Sequence, residues 1–323
     1  MAITNTLRNA KRSFNIFSKT TLLHKILYFL AFLISISLIF NYGKQQVEGF
    51  EAPKTNEFKM NNTVPEIYDD FYATIYDDLV FNKNKNDYEI GKWIEHTQPD
   101  KQSVVLDIGS GTGHHVSSLK AHGYNPIGID ISPSMVKKAK ETYPDLKFQV
   151  ADVLSSSIFP EESFTHITCF YFTLYYIRNK KLFFENCMRW LTPGGFLAIH
   201  AVNRDKFDPI LPAGNPFSIV SPQKYAKKRI TSTTVMFDEF EYKSNFDMKE
   251  TIEDENTANA IMKETFKNNK NGNVVQNEHQ LYMSTQAEIL DIAKDVGFII
   301  DSKINLLDCQ YDSQYVYVLQ KPT

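Results

Sequence analysis

The sequence has few of the residues that build covalent or fibrous frameworks. Its 323 residues include only three cysteines, too few and too scattered for a disulfide framework or a cysteine zinc site. Glycine and proline, 13 each, are too few for a collagen-like or low-complexity chain. With 42% hydrophobic and 23% charged residues, the composition is that of a globular protein with enough chain for one large or two modest domains.

An excess of positive charge is also missing. The formal net charge is −3, from 35 Lys+Arg and 38 Asp+Glu, so the overall charge does not favour a nucleic acid as a partner. The charge is unevenly distributed, because residues 1–50 hold six basic side chains and a single acidic one, Glu48. A basic N-terminal segment therefore precedes an acidic body.

The basic segment, residues 1–25, is followed by 18 uncharged and mostly apolar residues at 26–43. As a helix this run would extend about 27 Å, and Leu22 and Leu23 would lengthen it to just span a hydrocarbon core of about 30 Å. We therefore predict a single-pass transmembrane helix over 26–43 in contact with the lipid bilayer, with orientation and oligomeric state left open. A buried helix, a cleaved signal peptide and an organelle import presequence are the alternatives. Residues 44–64 are polar and are expected to form a tether.

Residues 65–323 alternate predicted strands with predicted helices. Short runs of β-branched and aromatic residues predict the strands, and capping residues before apolar periodicity predict the helices. Such alternation is typical of an α/β fold, a doubly wound and mostly parallel sheet with helices on both faces. Residues 203–283 depart from it, since their aromatic and polar residues alternate. They predict an antiparallel β insert after the fifth strand that covers the substrate. The predicted strands of the main sheet are 104–106, which leads through Asp107 and Ile108 into the next loop, 126–130, 147–150, 164–172, 196–200, 298–304 and 315–319.

A glycine-rich loop, residues 109–113, gives the first indication of function. It lies between a predicted strand and a predicted helix, where glycines allow close approach and backbone N–H groups can face an electron-rich ligand. Asp107, Asp130 and Asp152 stand at the ends of three consecutive predicted strands, which meet at one edge of a parallel sheet. Asp130 could accept hydrogen bonds from both hydroxyls of a ribose, and Asp152 could accept a hydrogen bond from the exocyclic amine of an adenine. The pattern predicts a site for a nucleotide-like cofactor.

Four segments resemble the class I S-adenosylmethionine-dependent methyltransferases of the small-molecule type. They are VVLDIGSGTG (104–113), IGIDIS (127–132), VADV (150–153) and LTPGGFLAIH (191–200). The resemblance covers about residues 66–200 and returns at about 285–320. It implies a Rossmann-like sheet of seven strands with an antiparallel last strand, and S-adenosyl-L-methionine as the cofactor.

The resemblance also implies the residues that hold the methionine part of the cofactor. Gly109, Gly111 and Gly113, with Ser110 in the same loop, would border it. Asp107 would support the loop and the cofactor's amino group.

The remaining implied contacts lie farther along the chain. Asp130 would bind the ribose hydroxyls, and Ile131 would pack on the adenine. Asp152 would meet the adenine amine, with Val153 beside it. Phe170 would pass beneath the methionine end.

Three residues are candidates for the chemical step. Tyr175 and Tyr176 follow the predicted fourth strand, and His200 ends the fifth, where it could act as a base. Structural packing is the alternative for each of them. Tyr72 and Tyr76 lie in a stretch that resembles the lid helix of small-molecule members, and either could close over the cofactor. No metal site is expected, because His114-His115 lack a third ligand.

These observations predict a membrane-anchored methyltransferase that modifies an oxygen or nitrogen of a small molecule or lipid-like acceptor. The alternatives are a protein methyltransferase, a nucleotide-cofactor oxidoreductase and a non-catalytic adaptor. Pro-Gly-Gly before the fifth strand speaks against the oxidoreductase. An open cleft would favour a protein substrate, and a closed aromatic pocket would favour a small molecule.

Overall fold

The computed structural model describes residues 57–209, 226, 228–249 and 258–323, together with residues 21, 24, 26 and 29–31. The chain divides into two compact units, Met1–Lys54 and Thr55–Thr323. The architecture below is that of the second unit.

The transmembrane helix predicted over 26–43 requires a correction. Within the described part of the chain, no helix has both the length and the apolar character needed to cross a bilayer. The helical residues described in this region are His24, Ile26 and residues 29–31. The rest of 26–43 lies outside the described residues. This finding contradicts the predicted membrane location.

Twelve strands and eight helices follow in the described part of the second unit. The strands are β1 Phe58–Asn61, β2 Val104–Ile108, β3 Asn125–Asp130, β4 Lys147–Val150, β5 Phe164–Cys169, β6 Leu191–Val202, β7 Ser232–Met236, β8 Phe240–Met248, β9 Ala260–Asn268, β10 Val274–Leu281, β11 Ile299–Asn305 and β12 Gln314–Gln320. The helices are α1 Val64–Ile67, α2 Asp70–Leu79, α3 Lys83–Thr97, α4 His114–Ala121, α5 Pro133–Thr142, α6 Thr173–Tyr176, α7 Lys180–Trp190 and α8 Gln286–Val296.

Seven strands form the large sheet, in the order β11-β12-β6-β5-β2-β3-β4. The pairs from β6 to β4 are parallel, whereas β12 is antiparallel to both of its neighbours. The predicted seven-stranded sheet with an antiparallel last strand is thus confirmed. The parallel strands are added outward in one direction from β2 to β4 and in the other direction from β5 to β6. In such sheets ligands bind at the switch point between the two sets, here between β2 and β5, beyond the carboxyl ends of the strands.

The large sheet is covered on both faces, as its apolar strands require. Adjacent residues of β2 point to opposite sides: Val105 packs into a cluster with Trp93, and Leu106 into a cluster with Trp190. Both tryptophans are fully buried. The resulting two-sided core fixes the strand ends that carry the predicted site.

Five strands form a separate small sheet, in the order β1-β10-β9-β8-β7. Strands β7 to β10 pair antiparallel, as predicted for the insert. Buried and exposed positions alternate along β8, and the buried side of β8 to β10 holds polar as well as apolar residues, among them Glu264 and His279. Strand β1 adds a parallel edge, and Asn61 bonds to Asn277 at 3.0 Å in a buried contact. Residues 58–61 are therefore part of the sheet and not of a tether. The predicted tether's other members up to residue 56 lie outside the described residues.

Two predicted strand ends also move. Strand β5 stops at Cys169 instead of Phe172, because Tyr171 has a left-handed φ of 50° that turns the chain. Strand β6 begins at Leu191, so the segment Thr-Pro-Gly-Gly195 belongs to the strand. The earlier end of β5 leaves residues 171–173, a turn that leads into α6, over the cavity described below.

Candidate functional site

The glycine loop that joins β2 to α4 has the conformation its sequence requires. Gly109, Gly111 and Gly113 have φ values of 71°, 53° and 92°, a region that other residues adopt only with strain. The amides of Gly109 and Ser110 donate to the carbonyl of Ile129 at 2.8 and 2.9 Å, which fixes the loop to the end of β3. The loop is thus held at the switch point of the large sheet.

Asp130, at the end of β3, closes the loop from the other side. Its carboxylate accepts from the amides of Gly111 and Ser132 at 3.0 and 2.8 Å. Burial raises the pKa of Asp130 although these amides lower it. Each carboxylate oxygen has further acceptor capacity beyond one such bond. Asp130 lines the main cavity and can therefore still accept from two ribose hydroxyls.

Asp107 is fully buried beneath the loop. One oxygen accepts from the Thr168 hydroxyl at 2.7 Å, and the other has no hydrogen-bond partner among the described residues. Burial raises the pKa of Asp107 to about 6. Burying a carboxylate oxygen without a hydrogen-bond partner costs free energy, and such an atom in a native protein calls for an explanation. The second oxygen of Asp107 fits an ammonium group of a ligand.

The adenine side of the predicted site is also present. Ile131, Asp152 and Val153 line the same cavity as Gly109 and Gly111. Asp152 is exposed and accepts from the amide of Leu154 at 2.9 Å, which fixes the carboxylate at the rim. The predicted contacts with ribose and adenine are therefore brought together in space, and they stay predictions until a ligand is measured.

Four predicted cofactor-binding residues do not line the cavity: Asp107, which lies buried beneath the loop, Ser110, Gly113 and Phe170. Ser110 is buried against Gly128, and Gly113 faces the ring of Phe148 at the start of α4. Phe170 is buried in the core, 4.8 Å between ring centroids from His115. The cavity wall next to Phe170 is formed by the side chains of residues 171–173, and the predicted contact of Phe170 with the methionine end stays a prediction.

The main cavity has a volume of about 400 Å³. The loop and strand ends form one side. Tyr68, Tyr72 and Tyr76 line it from α2 and the residues before it, and closure of Tyr72 or Tyr76 over the cofactor stays a prediction. The small sheet contributes Phe246, Met262, His279 and Leu281. The cavity therefore joins a polar end at the loop to an aromatic and aliphatic end under the small sheet.

The three predicted catalytic candidates separate in the structure. Tyr175 is fully buried and its hydroxyl accepts from the amide of Val202 at 2.8 Å, which is a packing role outside the cavity. His200 lines the cavity, but its Nδ1 lies 2.6 Å from the Tyr171 carbonyl, and burial lowers its pKa to about 4. Tyr176 also lines the cavity, and its hydroxyl lies 2.6 Å from Nδ1 of His279. Of the three, Tyr176 has the surroundings of a reacting group.

Sequence reasoning missed a buried lysine at the polar end. Lys85 of α3 lines the cavity, 3.6 Å from the ring centroid of Tyr171 and 2.6 Å from Glu89. Burial opposes the charge of Glu89, but Lys85 and His115 outweigh it and lower its pKa to about 2. The i,i+4 spacing of Lys85 and Glu89 was visible, but only burial distinguishes this pair from the exposed pair Lys83–Asp87 on the same helix.

Comparisons with known proteins agree with this geometry. Residues 106–199 match the family described as a methyltransferase domain. The chain is 28% identical over 141 residues to a dTDP-4-amino-2,3,4,6-tetradeoxy-D-glucose N,N-dimethyltransferase of Saccharopolyspora spinosa, covering 41% of this chain and 55% of that protein. It is 38% identical over 101 residues to a 2-methyl-6-phytyl-1,4-hydroquinone methyltransferase of Synechocystis sp., covering 30% of this chain and 31% of that protein.

A solved structure shows the same fold over most of the chain. The crystal structure of an S-adenosylmethionine-dependent methyltransferase from Clostridium acetobutylicum superposes with a TM-score of 0.58 at 18% identity, covering 78% of this chain and 98% of that one. The fold and the site together have the features of the class I methyltransferases. This chain contains a methyltransferase domain of that class, as the resemblance implied, and S-adenosyl-L-methionine is the cofactor of the class. The matches span about a third to a half of the two curated relatives, so the activity and substrate of the whole protein are proposed below.

Proposed function

We propose that this protein transfers a methyl group from S-adenosyl-L-methionine to an oxygen or nitrogen atom of a small molecule held in the main cavity. One observation carries the proposal: a single cavity joins the glycine loop and its carboxylates to an aromatic end under the small sheet. A bound cofactor and an acceptor would thus lie side by side in one cavity, as in-line transfer requires.

The residues at the polar end suit this cofactor. Asp130 would take the ribose hydroxyls, Asp152 the adenine amine and Asp107 the ammonium group, while Lys85 is the cation available for the carboxylate. When bound, the cofactor supplies an electrophilic methyl group on a sulfonium, and transfer leaves a neutral thioether. The chain's own residues fix the position of both partners and exclude water from the space between them.

The aromatic end favours a small acceptor. Tyr68, Tyr72 and Tyr76 line the cavity on one side and the small sheet on another, and the volume of the whole cavity, about 400 Å³, lies within the usual range of about 300–1,000 Å³ for small-molecule sites. A protein substrate would need an open cleft at this place. The names of the curated relatives, an aminosugar and a hydroquinone methyltransferase, agree with a small-molecule acceptor.

Calorimetric titration of the full chain tests the proposal. We expect S-adenosylmethionine and S-adenosylhomocysteine to bind and NADH not to bind. Asp130→Ala should weaken binding about tenfold or more, because a hydrogen bond to a charged group contributes about 1.5–3 kcal/mol and 1.4 kcal/mol is a factor of ten. Asp145→Ala, which removes an exposed carboxylate outside the cavity, is the matched control and should bind like the wild type.

Two results would change the conclusion. A folded wild-type protein that binds neither sulfonium nor thioether is not a methyltransferase, and the non-catalytic adaptor would then be favoured. Binding of NADH in preference to both would favour the oxidoreductase.

A further inference from the structure

A line of hydrogen-bonded side chains runs along the wall of the main cavity. Oε2 of Glu264 lies 2.7 Å from Nε2 of His279, Nδ1 of His279 lies 2.6 Å from the Tyr176 hydroxyl, and the Tyr68 hydroxyl lies 3.0 Å from that of Tyr176. Glu264 and His279 come from β9 and β10, Tyr176 from α6, and Tyr68 from the turn before α2. Tyr68, Tyr176 and His279 line the cavity, and Glu264 is fully buried behind them.

The line has a direction, which Glu264 sets. Its carboxylate accepts from the Tyr242 hydroxyl at 2.7 Å through Oε1, and its Oε2 faces Nε2 of His279. Because a carboxylate only accepts hydrogen bonds, Nε2 of His279 is the donor, and Nδ1 is left to accept from Tyr176. Tyr176 then donates to His279, and Tyr68 donates to Tyr176. The oxygen of Tyr68 remains as the acceptor at the cavity end.

We propose that this line, which rests on the proposed methyl transfer, accepts the proton of the substrate, and that the substrate is a phenol-type hydroxyl compound. A free amine already carries the electron pair that attacks a methyl group, whereas a phenol, with a pKa of about 10, must first lose its proton. The acceptor end also suits an aromatic ring, because Phe172, Phe207, Phe246 and Met262 line it.

The proton step is balanced within the chain. The O–H bond of the substrate breaks as its proton moves to Tyr68, the proton of Tyr68 moves to Tyr176, and that of Tyr176 moves to Nδ1 of His279. Both tyrosines end neutral, as they must, because burial raises the pKa of each. The imidazolium of His279 is stabilised by Glu264. The electron pair left on the substrate oxygen forms the bond to the methyl carbon, and the proton returns to solvent by the same hydroxyls when the product leaves.

Glu264 is a positioning residue in this scheme, since it acts through His279. The titratable groups that surround His279 are Glu264 and the phenols of Tyr68, Tyr72 and Tyr176. On the opposite face of β10, Glu278 pairs with Lys263 at 3.3 Å. Glu278→Gln is therefore a matched control on the same strand for Glu264→Gln.

The first measurement needs no substrate. Long-range ¹H–¹⁵N spectra of histidine-labelled full chain report the protonation of each ring nitrogen. We expect Nε2 of His279 to carry a proton and Nδ1 to act as the acceptor, and we expect Glu264→Gln to remove this preference while Glu278→Gln keeps it. An imidazolium, or a proton on Nδ1, in the wild type would overturn the proposal.

The second measurement uses simple phenols and hydroquinones as probes, each beside the corresponding aniline, with release of S-adenosylhomocysteine as the readout. We expect phenol methylation to rise with pH along one limb. Glu264→Gln should lower its plateau about tenfold to a hundredfold, because the protonated His279 loses the carboxylate that stabilises it. Tyr176→Phe should lower the rate with a phenol but not with a nitrophenol that is already ionised at the assay pH.

The outcomes separate the two proposals. A wild type that binds no S-adenosylmethionine refutes the proposed function. The measurement of the His279 tautomer then tests only whether the line of hydrogen bonds exists. A wild type that binds the cofactor but methylates only anilines, or neither series, overturns the proposed substrate class. Equal losses with phenol and nitrophenol in Tyr176→Phe, at unchanged cofactor affinity, would reduce the line to a structural role.

Discussion

The side chain of Thr173 occupies the space that a Cβ atom on Gly109 would need. The two residues follow the ends of different strands. Gly109 follows β2, and Thr173 begins α6 after β5. Because β2 and β5 are neighbours at the switch point, this contact sets how closely the glycine loop approaches the turn at 171–173. Glycine is therefore required here for two reasons, the missing Cβ and the positive φ.

Substitution of this glycine is the first prediction. Gly109→Ala should displace the loop, lower the free energy of unfolding by about 1–3 kcal/mol and abolish measurable binding of S-adenosylmethionine. Calorimetry and chemical denaturation give the two numbers. Gly91→Ala, in α3 with open space around its Cα, is the control and should be neutral or stabilising by about 0.5–1 kcal/mol. Normal cofactor affinity in Gly109→Ala would show that the contact with Thr173 is not needed.

We predict that the ionised side chain of Asp107 lowers the free energy of unfolding of the cofactor-free protein. Burial raises its pKa from 3.8 to about 6, so ionisation in the folded state is unfavourable. This cost is small near pH 4 and complete above about pH 6. Since one pKa unit corresponds to about 1.4 kcal/mol, Asp107→Asn should stabilise the protein by about 1–3 kcal/mol at pH 8 and much less at pH 4.

Denaturation curves at both pH values check this expectation, with Asp145→Asn as the control that should show no pH-dependent gain. The same variant should bind S-adenosylmethionine more weakly, because it loses the charge that faces the ammonium group. An equal gain at pH 4 and pH 8 would contradict the assigned pKa.

His200 should act on stability and not as the base of the reaction. Burial lowers its pKa from 6.5 to about 4, so protonation favours the unfolded state. The stabilising contribution is therefore complete above about pH 6.5 and is lost as the pH falls toward 4, on the order of 2–3 kcal/mol. His200→Asn should flatten this decline, whereas the exposed control His122→Asn should not. Survival of the full decline in His200→Asn would assign it to other groups, such as His166.

The buried pair of α3 should be far more sensitive than the exposed pair beside it. Lys85→Met leaves the carboxylate of Glu89 buried without its lysine, and we expect a loss of about 3–5 kcal/mol in the free energy of unfolding. Lys83→Met breaks the exposed pair with Asp87 at the same i,i+4 spacing and should cost less than about 1 kcal/mol. Similar losses in the two variants would mean that Lys85 is solvated in solution.

The polar end of the cavity could be predicted from the sequence because its determinants are local. A glycine loop after an apolar strand, and acids at strand ends, follow from adjacent residues, and the order of the strands then brings Asp130 and Asp152 to one edge. The resemblance extended this to a cofactor. The apolar run at 26–43 was also local, but hydropathy alone did not decide its structure, and the predicted anchor was wrong.

The acceptor end depends on residues that are far apart in the chain. Tyr68 and His279 are separated by more than 200 positions, and only the pairing of β1 with β10 and the folding of the small sheet over the loop bring them to one cavity. Burial was equally invisible in the sequence. It distinguishes Lys85 from Lys83, lowers the pKa of His200, and leaves Tyr175 in the core while its neighbour Tyr176 meets His279.

The sequence by itself therefore determined the class of fold and the cofactor end, since strand periodicity and loop chemistry are properties of neighbouring residues. Only the tertiary structure decided which ionisable side chains are desolvated and which hydroxyls meet. Both are set by long-range packing, because the free energy of a charge or a proton depends on everything within a few ångströms, whatever its distance along the chain.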